Sequence, residues 1–328
     1  MIRDRMRISD HAVKAIMDNA VGLYLPPDPY CVELNDLLAK HYRVDHSSLV
    51  IGNGSTEVMD AVVQLAVAKG ICKILYTKPS FGLYKILADK YQLECLEVDM
   101  HSYGHDLANL NSAIKDDAAI VFVDSPHYVT GTSIKIEDVT EVSLQNPKSI
   151  FVLDNVYGEY AELDITSKIS SLVATVPNLL VCRTFSKVHG LLGLRVGYGI
   201  GHCDLIQQVK SCMLPYSVNT LAQVAAMASL MDVENVRRNV LLNNKAKILV
   251  TEALERSGIG YVETEGSTLL IKPGKAMDCL KTSLTERGIK YRNEEKCGLM
   301  GHIQIHLIDA VTIGPFLRIV AELHQKEN

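Results

Sequence analysis

Apolar residues come in short blocks through the middle of the chain: CKILYT (72–77), LECLEV (93–98), AAIVFV (118–123), SIFVLD (149–154), NLLVCR (178–183) and RVGYGI (195–200). The blocks alternate with stretches of helical period, a pattern that predicts a mostly parallel, doubly wound sheet. Between Ser55 and Lys69, residues Val58, Val62, Leu65 and Ala66 share one face, so a helix is expected there, with Asn53 or Ser55 as its cap and Gly70 as its stop. From about Ser217 to Ser257 the pattern is almost continuously helical, interrupted near Met231 and Asp232 and ended by Gly258. Beyond Tyr261 come two strand candidates, STLLIK (267–272) and HIQIHLI (302–308), and a final helix, PFLRIVAELHQ (315–325). The reading is an α/β protein in three segments: residues 1–30 as an N-terminal arm joined to the smaller domain, 31–230 as a large domain, and 231–328 as a small C-terminal domain.

A length of 328 residues agrees with two domains. Hydrophobic residues make up 48% and charged residues 22%, with no low-complexity tract, which excludes disorder as a global description. With no Trp and five Phe, the core falls to Ala, Val, Ile and Leu, as suits buried strands flanked by helices. Lys and Arg total 33 against 38 acidic residues, a net charge of −5 without a basic run, so nucleic acid is a poor partner. The eight cysteines (Cys31, Cys72, Cys95, Cys182, Cys203, Cys212, Cys279, Cys297) include no CxxC pair and suit reduced thiols in a cytosol. The start, MIRDRMRISDHAV, alternates charge without an apolar core, and no stretch approaches the roughly 18 apolar residues of a membrane span. A cytoplasmic protein without a membrane partner is expected.

Three segments carry candidate chemistry. LVIGNGSTEV (49–58) reads as strand, glycine turn and helix start, whose free N–H groups and dipole suit an anion. It approaches a dinucleotide fingerprint, but Glu57 stands at the third glycine position and the next strand ends YTK without an acid for a ribose. Alone, it is equally a plain helix cap. RTFSKVHGLLGLR (183–195) puts Lys187 just past a strand's carboxyl end, where open α/β sheets bind ligands, with Thr184, Ser186 and Arg195 as a second phosphate grip. Such a lysine suits a Schiff base, although a lone lysine is more often a solvated charge. FVLDNVYGEY (151–160) ends a strand at Asp154, with Tyr157 three residues on. A buried acid there needs a cationic partner, and a protonated pyridine nitrogen is one.

In this order and spacing the segments resemble pyridoxal-phosphate enzymes of the class I and II aminotransferases (fold type I), most closely the histidinol-phosphate aminotransferase branch, which also contains threonine-phosphate decarboxylase. The likeness runs from about residue 10 to the C-terminus, and LPPDPYCVELNDLLAKHYRVDHSSLVIGNGSTE (25–57) follows that branch nearly residue for residue. The resemblance implies pyridoxal 5′-phosphate as cofactor, a small-molecule amine or amino acid as substrate, and a homodimer. It implies that Lys187 carries the cofactor as a Schiff base and then moves the α-proton. Asp154 pairs with the ring nitrogen, Tyr157 reaches the phenolic oxygen, and Phe81 of KPSFGLY stacks on the ring. The phosphate falls to Gly54, Ser55, Thr56, Thr184, Ser186 and Arg195.

Several positions depart from the family pattern. The Asn-Pro-Thr-Gly turn, whose Asn meets the phenolic oxygen, reads Tyr128-Val129-Thr130-Gly131 here. The arginine of the C-terminal strand reads Gln304, leaving Arg292 to carry a substrate anion. The tyrosine that reaches across the dimer falls at Pro26, with Tyr24 two residues away, and the N-terminal arm is short. Arg292, Gln304 and Tyr24 are therefore the candidate substrate residues. His101, His105 and Asp106 in HSYGHD are read as an exposed turn rather than metal ligands, His189 and His127 as open to either site or solvent, and no metal is expected. No GxSxG elbow or recognisable cysteine nucleophile supports a hydrolase. Transamination is the first expectation. Decarboxylation or another α-carbon reaction comes second, and a regulatory protein that binds the cofactor without turnover is the rival from another class.

Overall fold

The computed structural model describes residues 7–114, 117–162, 165–307 and 310–327. The first six residues of the charged N-terminal stretch lie outside the described residues, as does the Cys297 side chain; the other seven cysteines are free thiols. Seven strands form the main sheet: β1 (Leu49–Gly52), β2 (Lys73–Lys78), β3 (Glu94–Asp99), β4 (Ile120–Asp124), β5 (Ile150–Asp154), β6 (Leu179–Thr184) and β7 (Gly197–Gly201). Their order is β1-β7-β6-β5-β4-β2-β3, parallel except that β7 runs antiparallel to β1 and β6. The middle strands are buried on both faces. On β5, Phe151 and Leu153 enter one hydrophobic cluster while Ile150 and Val152 enter the cluster on the opposite face. That double burial is why these strands read as continuous apolar runs.

A second sheet, in the order β10-β11-β9-β8, is built from β8 (Gly260–Val262), β9 (Thr268–Lys272), β10 (Tyr291–Arg292) and β11 (Ile303–His306), all antiparallel. Leu269, Ile271, Ile303 and Ile305 pack with Val250, Leu254, Leu280 and Phe316 from the covering helices. By the two-residue period of a strand, Leu270 then turns the other way and meets Val129, in the turn that follows β4. The helical stretch breaks where it was expected to, between Thr220–Met231 and Val233–Arg256. There Asp232 leaves helical geometry to cap the second helix, accepting the Asn235 N–H at 3.1 Å and the Ser9 hydroxyl at 2.6 Å. The N-terminal helix Asp10–Asn19 places Ala12 in the large core beside Ala222 and Ala226, and the Arg7 carbonyl accepts from Asn239 at 3.0 Å. This segment thus packs on the large core through Ala12 and is also bonded to Asp232 and Asn239.

Candidate active site

The carboxyl ends of β1, β4, β5 and β6 meet at one edge of the main sheet, where parallel strands leave room for a ligand. A cavity of about 240 Å³ opens there, lined by Ser55, Thr56, Phe81, Tyr128, Asp154, Val156, Tyr157, Thr184, Ser186, Lys187, Leu192 and Arg195. Every residue expected to touch the cofactor is in that wall except Gly54, which lies behind Arg195. Two larger hollows, about 510 and 500 Å³, lie elsewhere, one lined by Pro29, Cys31 and Lys210, the other by Tyr42, Arg183 and Tyr198. Neither contains Lys187 or Asp154.

The anion end is built by the backbone. The helix Ser55–Ala68 begins at Gly54 (φ +77°) with no side-chain cap, contrary to the expected Asn53 or Ser55 cap. Glu57 instead accepts the Asn53 N–H at 2.5 Å, so the hydroxyls of Ser55 and Thr56 are left to the cavity. Gly70, with φ +78°, follows the end of the helix as its stop. A Cβ on Gly54 would stand 2.4 Å from the Arg195 guanidinium, and one on Gly197 would stand 2.3 Å from the Ser55 nitrogen. Both glycines therefore exist for close approach. Arg195, itself left-handed at φ +57°, donates to the Ser186 hydroxyl at 3.4 Å and the Leu192 carbonyl at 3.3 Å. Thr184 accepts the Ser186 N–H at 3.1 Å and so shapes the turn that leads to Lys187.

At the other end sit the charges. Asp154 is buried; its Oδ2 accepts the Tyr84 hydroxyl at 3.0 Å, while Oδ1 has no hydrogen-bond partner among the described residues. Burial, and then the nearby charge of Asp124, pushes its carboxyl up to about 7. A buried acid with an oxygen left over suits a cation brought by a ligand. Burial lowers the Lys187 ammonium from its ordinary value, and its Nζ lies 4.8 Å from the centre of the Tyr157 ring. A lowered lysine is closer to the neutral amine that attacks a carbonyl carbon. Tyr157 is raised, chiefly by burial, and stays a hydrogen-bond donor. An anion cradle, an amine and an acid lacking a cation fit the expected cofactor, and the cavity suits a single ring with an anionic arm better than a dinucleotide.

The substrate-side expectations fare differently. Arg292, on β10, donates to the Tyr128 hydroxyl, and its guanidinium carbon lies 4.5 Å from the centre of the Tyr128 ring, which brings it to the cavity's rim. Gln304 requires a correction: it is 1% exposed, and its amide donates to the carbonyls of Tyr128 at 2.9 Å and Val129 at 2.7 Å. It fastens the small sheet to the turn that carries Tyr128 and does not line the cavity. Tyr24 is 84% exposed and outside the wall of its own chain's cavity. His105 is not on an exposed turn: its side chain is buried, with Nε2 donating to the Asp124 carbonyl at 2.7 Å and Nδ1 2.9 Å from the Thr77 hydroxyl. His189 is buried against Ser229 and His127 beneath the Tyr128 turn, so neither faces solvent.

Sequence reasoning missed Tyr84, Ser80 and Asp124. Tyr84 and Ser80 flank Phe81 in the motif already singled out, and Asp124 ends its strand in the same register as Asp154. The signal was therefore present as a second strand-end aspartate.

The family model for aminotransferase class I and II matches residues 4–319. Histidinol-phosphate aminotransferase 2 of Ralstonia nicotianae is 32% identical over 290 residues, 87% of this chain and 77% of that one. Histidinol-phosphate aminotransferase 1 of Thiobacillus denitrificans is 32% identical over 317 residues, 96% of this chain and 82% of that one. Among solved structures, histidinol-phosphate aminotransferase from Sinorhizobium meliloti in complex with pyridoxal-5′-phosphate superposes with a TM-score of 0.88 at 21% identity, over 98% of this chain and 88% of that one. L-threonine-O-3-phosphate decarboxylase from Porphyromonas gingivalis has the same fold, with a TM-score of 0.79 at 20% identity, over 96% of this chain and 95% of that one.

Proposed function

The chain belongs to the aminotransferase class I and II family, a pyridoxal-phosphate-dependent aminotransferase, and from that premise we propose that its amino donor is a phosphorylated amine of the histidinol-phosphate kind. Bound pyridoxal phosphate supplies an electron sink for the carbanion formed at the substrate's α-carbon. Lys187 is the amine that would hold the cofactor, and its free amine would then carry the substrate's α-proton. Asp154 would favour the protonated form of the ring nitrogen, and the leftover Oδ1 in its buried carboxyl is the observation that supports this reading most strongly. Tyr157 would donate its hydroxyl to the ring's phenolic oxygen, and Phe81 would cover one face of the ring. Ser55, Thr56, Ser186 and Arg195, with the helix N-terminus, hold the phosphate, an anchor remote from the reacting carbon. Arg292 attracts the substrate's own anionic group at the rim.

A homodimer belongs to the same proposal. Val21, Tyr24, Leu25 and Tyr30 form an exposed apolar stretch that suits a second copy, to which Tyr24 would be offered. The decarboxylase reading draws on fold alone, and the turnover-free reading on the departures at Tyr128 and Gln304, of which Gln304 lies outside the cavity wall.

Purified protein should show a visible absorption band that borohydride bleaches and that the Lys187→Ala variant lacks. Histidinol phosphate should discharge that band, and a keto acid should restore it. A band retained in Lys187→Ala overturns the assignment of the lysine. Indifference to histidinol phosphate, with discharge by other amines, overturns the substrate alone.

A further inference from the structure

A second buried carboxylate stands beside Asp154. Asp124 ends β4 as its register partner on β5, so both side chains leave the same face of the sheet. Neighbouring buried acids repel, and donors must decide which one stays ionised. They converge on Asp124: Oδ1 accepts the Ser80 hydroxyl at 3.1 Å, Oδ2 accepts the Tyr128 backbone N–H at 2.5 Å, and the His105 Nε2 lies 3.5 Å from Oδ1. Burial pushes the Asp124 carboxyl up, but His127, His105 and these bonds outweigh it, and it lies below its ordinary value.

His105, Asp124 and His127 bring possible ligand atoms within 4.8 Å of one another, as a metal site would. The lone pairs are already engaged. His127 Nδ1 accepts the N–H groups of Val129 and Thr130, both at 3.2 Å, so Nε2 holds the proton, and the His105 Nε2 donates to a carbonyl. The cluster holds a carboxylate, not a cation.

The bonds of Asp124 lead to the cavity's two aromatic walls. Ser80 precedes Phe81, and the N–H that Oδ2 accepts is that of Tyr128 itself; the rings of Phe81 and Tyr128 lie 4.8 Å apart at 52°. Resting on the cofactor reading above, we propose that Asp124 is a positioning residue, which spaces Phe81 and Tyr128 over the ring and keeps a fixed negative charge behind Asp154. The charge makes Asp154 hold the ring-nitrogen proton more firmly than a lone aspartate would.

The test uses holoenzyme carrying pyridoxal 5′-phosphate. Asp124→Asn preserves shape and an acceptor for the Tyr128 N–H but removes the charge. Losing about one pKa unit of cation stabilisation corresponds to about tenfold weaker cofactor retention, and the pH midpoint of the visible band should fall. Ser80→Ala keeps the charge and should leave that midpoint in place, while its loosened Phe81 segment weakens the band's induced circular dichroism. If Asp124→Asn does not fold, Asp124→Ser, which also removes the charge and leaves a hydroxyl oxygen as acceptor, must lower the midpoint in the same direction. An unchanged midpoint and unchanged retention in the folded variant overturn the proposal while the cofactor reading stands. A wild-type protein that binds no pyridoxal phosphate overturns both.

Discussion

The raised carboxyl of Asp154 makes a stability prediction for the cofactor-free protein. Its value moves from 3.8 in a free side chain to about 7 in the fold, with burial as the first cause and the charge of Asp124 as the second. Between those values the folded state holds a proton that the unfolded chain has released, so stability falls as pH rises from about 4 to about 7. At about 1.4 kcal/mol per pH unit the loss amounts to about 4 kcal/mol. Asp154→Asn keeps an acceptor for the Tyr84 hydroxyl but has no proton to lose. Urea midpoints of the two cofactor-free proteins should therefore agree at about pH 4 and separate progressively toward about pH 8, with the variant more stable. Loading pyridoxal phosphate should reverse the order at pH 8, because the wild-type carboxylate then has its cation. Parallel pH profiles for the two cofactor-free proteins would refute the claim that burial and the Asp124 charge raise the Asp154 carboxyl.

Gly54→Ala puts a methyl 2.4 Å from the Arg195 guanidinium at a residue with φ +77°, so cofactor should dissociate at least tenfold more readily, alongside a backbone cost of about 1–3 kcal/mol; equilibrium dialysis measures the first and thermal unfolding the second. Gln304→Leu leaves the carbonyls of Tyr128 and Val129 without their donor, at a cost of about 1–3 kcal/mol in unfolding free energy; no loss would mean that the turn is held by its other contacts. Arg292→Ala removes the cation on the Tyr128 ring and should raise KM for phosphorylated amines by roughly tenfold or more, as expected for a lost charge-assisted bond, with a much smaller effect for uncharged amines; an equal effect on both classes would place the anion elsewhere.

Lys187, Asp154 and the glycine turn before Ser55 were legible because each sits at a break in a strong period: a buried strand ends and a reactive side chain follows at once. The mostly parallel sheet and the helix breaks follow from the same local pattern, and the ends of parallel strands share an edge whatever the loops do. What escaped depends on contacts between segments far apart in the chain. Gln304 looked like a missing arginine, yet neighbouring Ile303 and Ile305 turn inward to the small core, so its amide meets the carbonyls of Tyr128 and Val129, far away in the chain. His105 looked like part of a polar turn, and only the packing of β2 and β4 around it encloses it. The local sequence determined which residues end each strand, because alternation and capping act over a few positions. The tertiary structure alone decided which of two strand-end aspartates is saturated with donors and which is left waiting for a cation, because those donors arrive from residues 80, 84, 105 and 128, and nothing in the spacing of one segment records where another will pack.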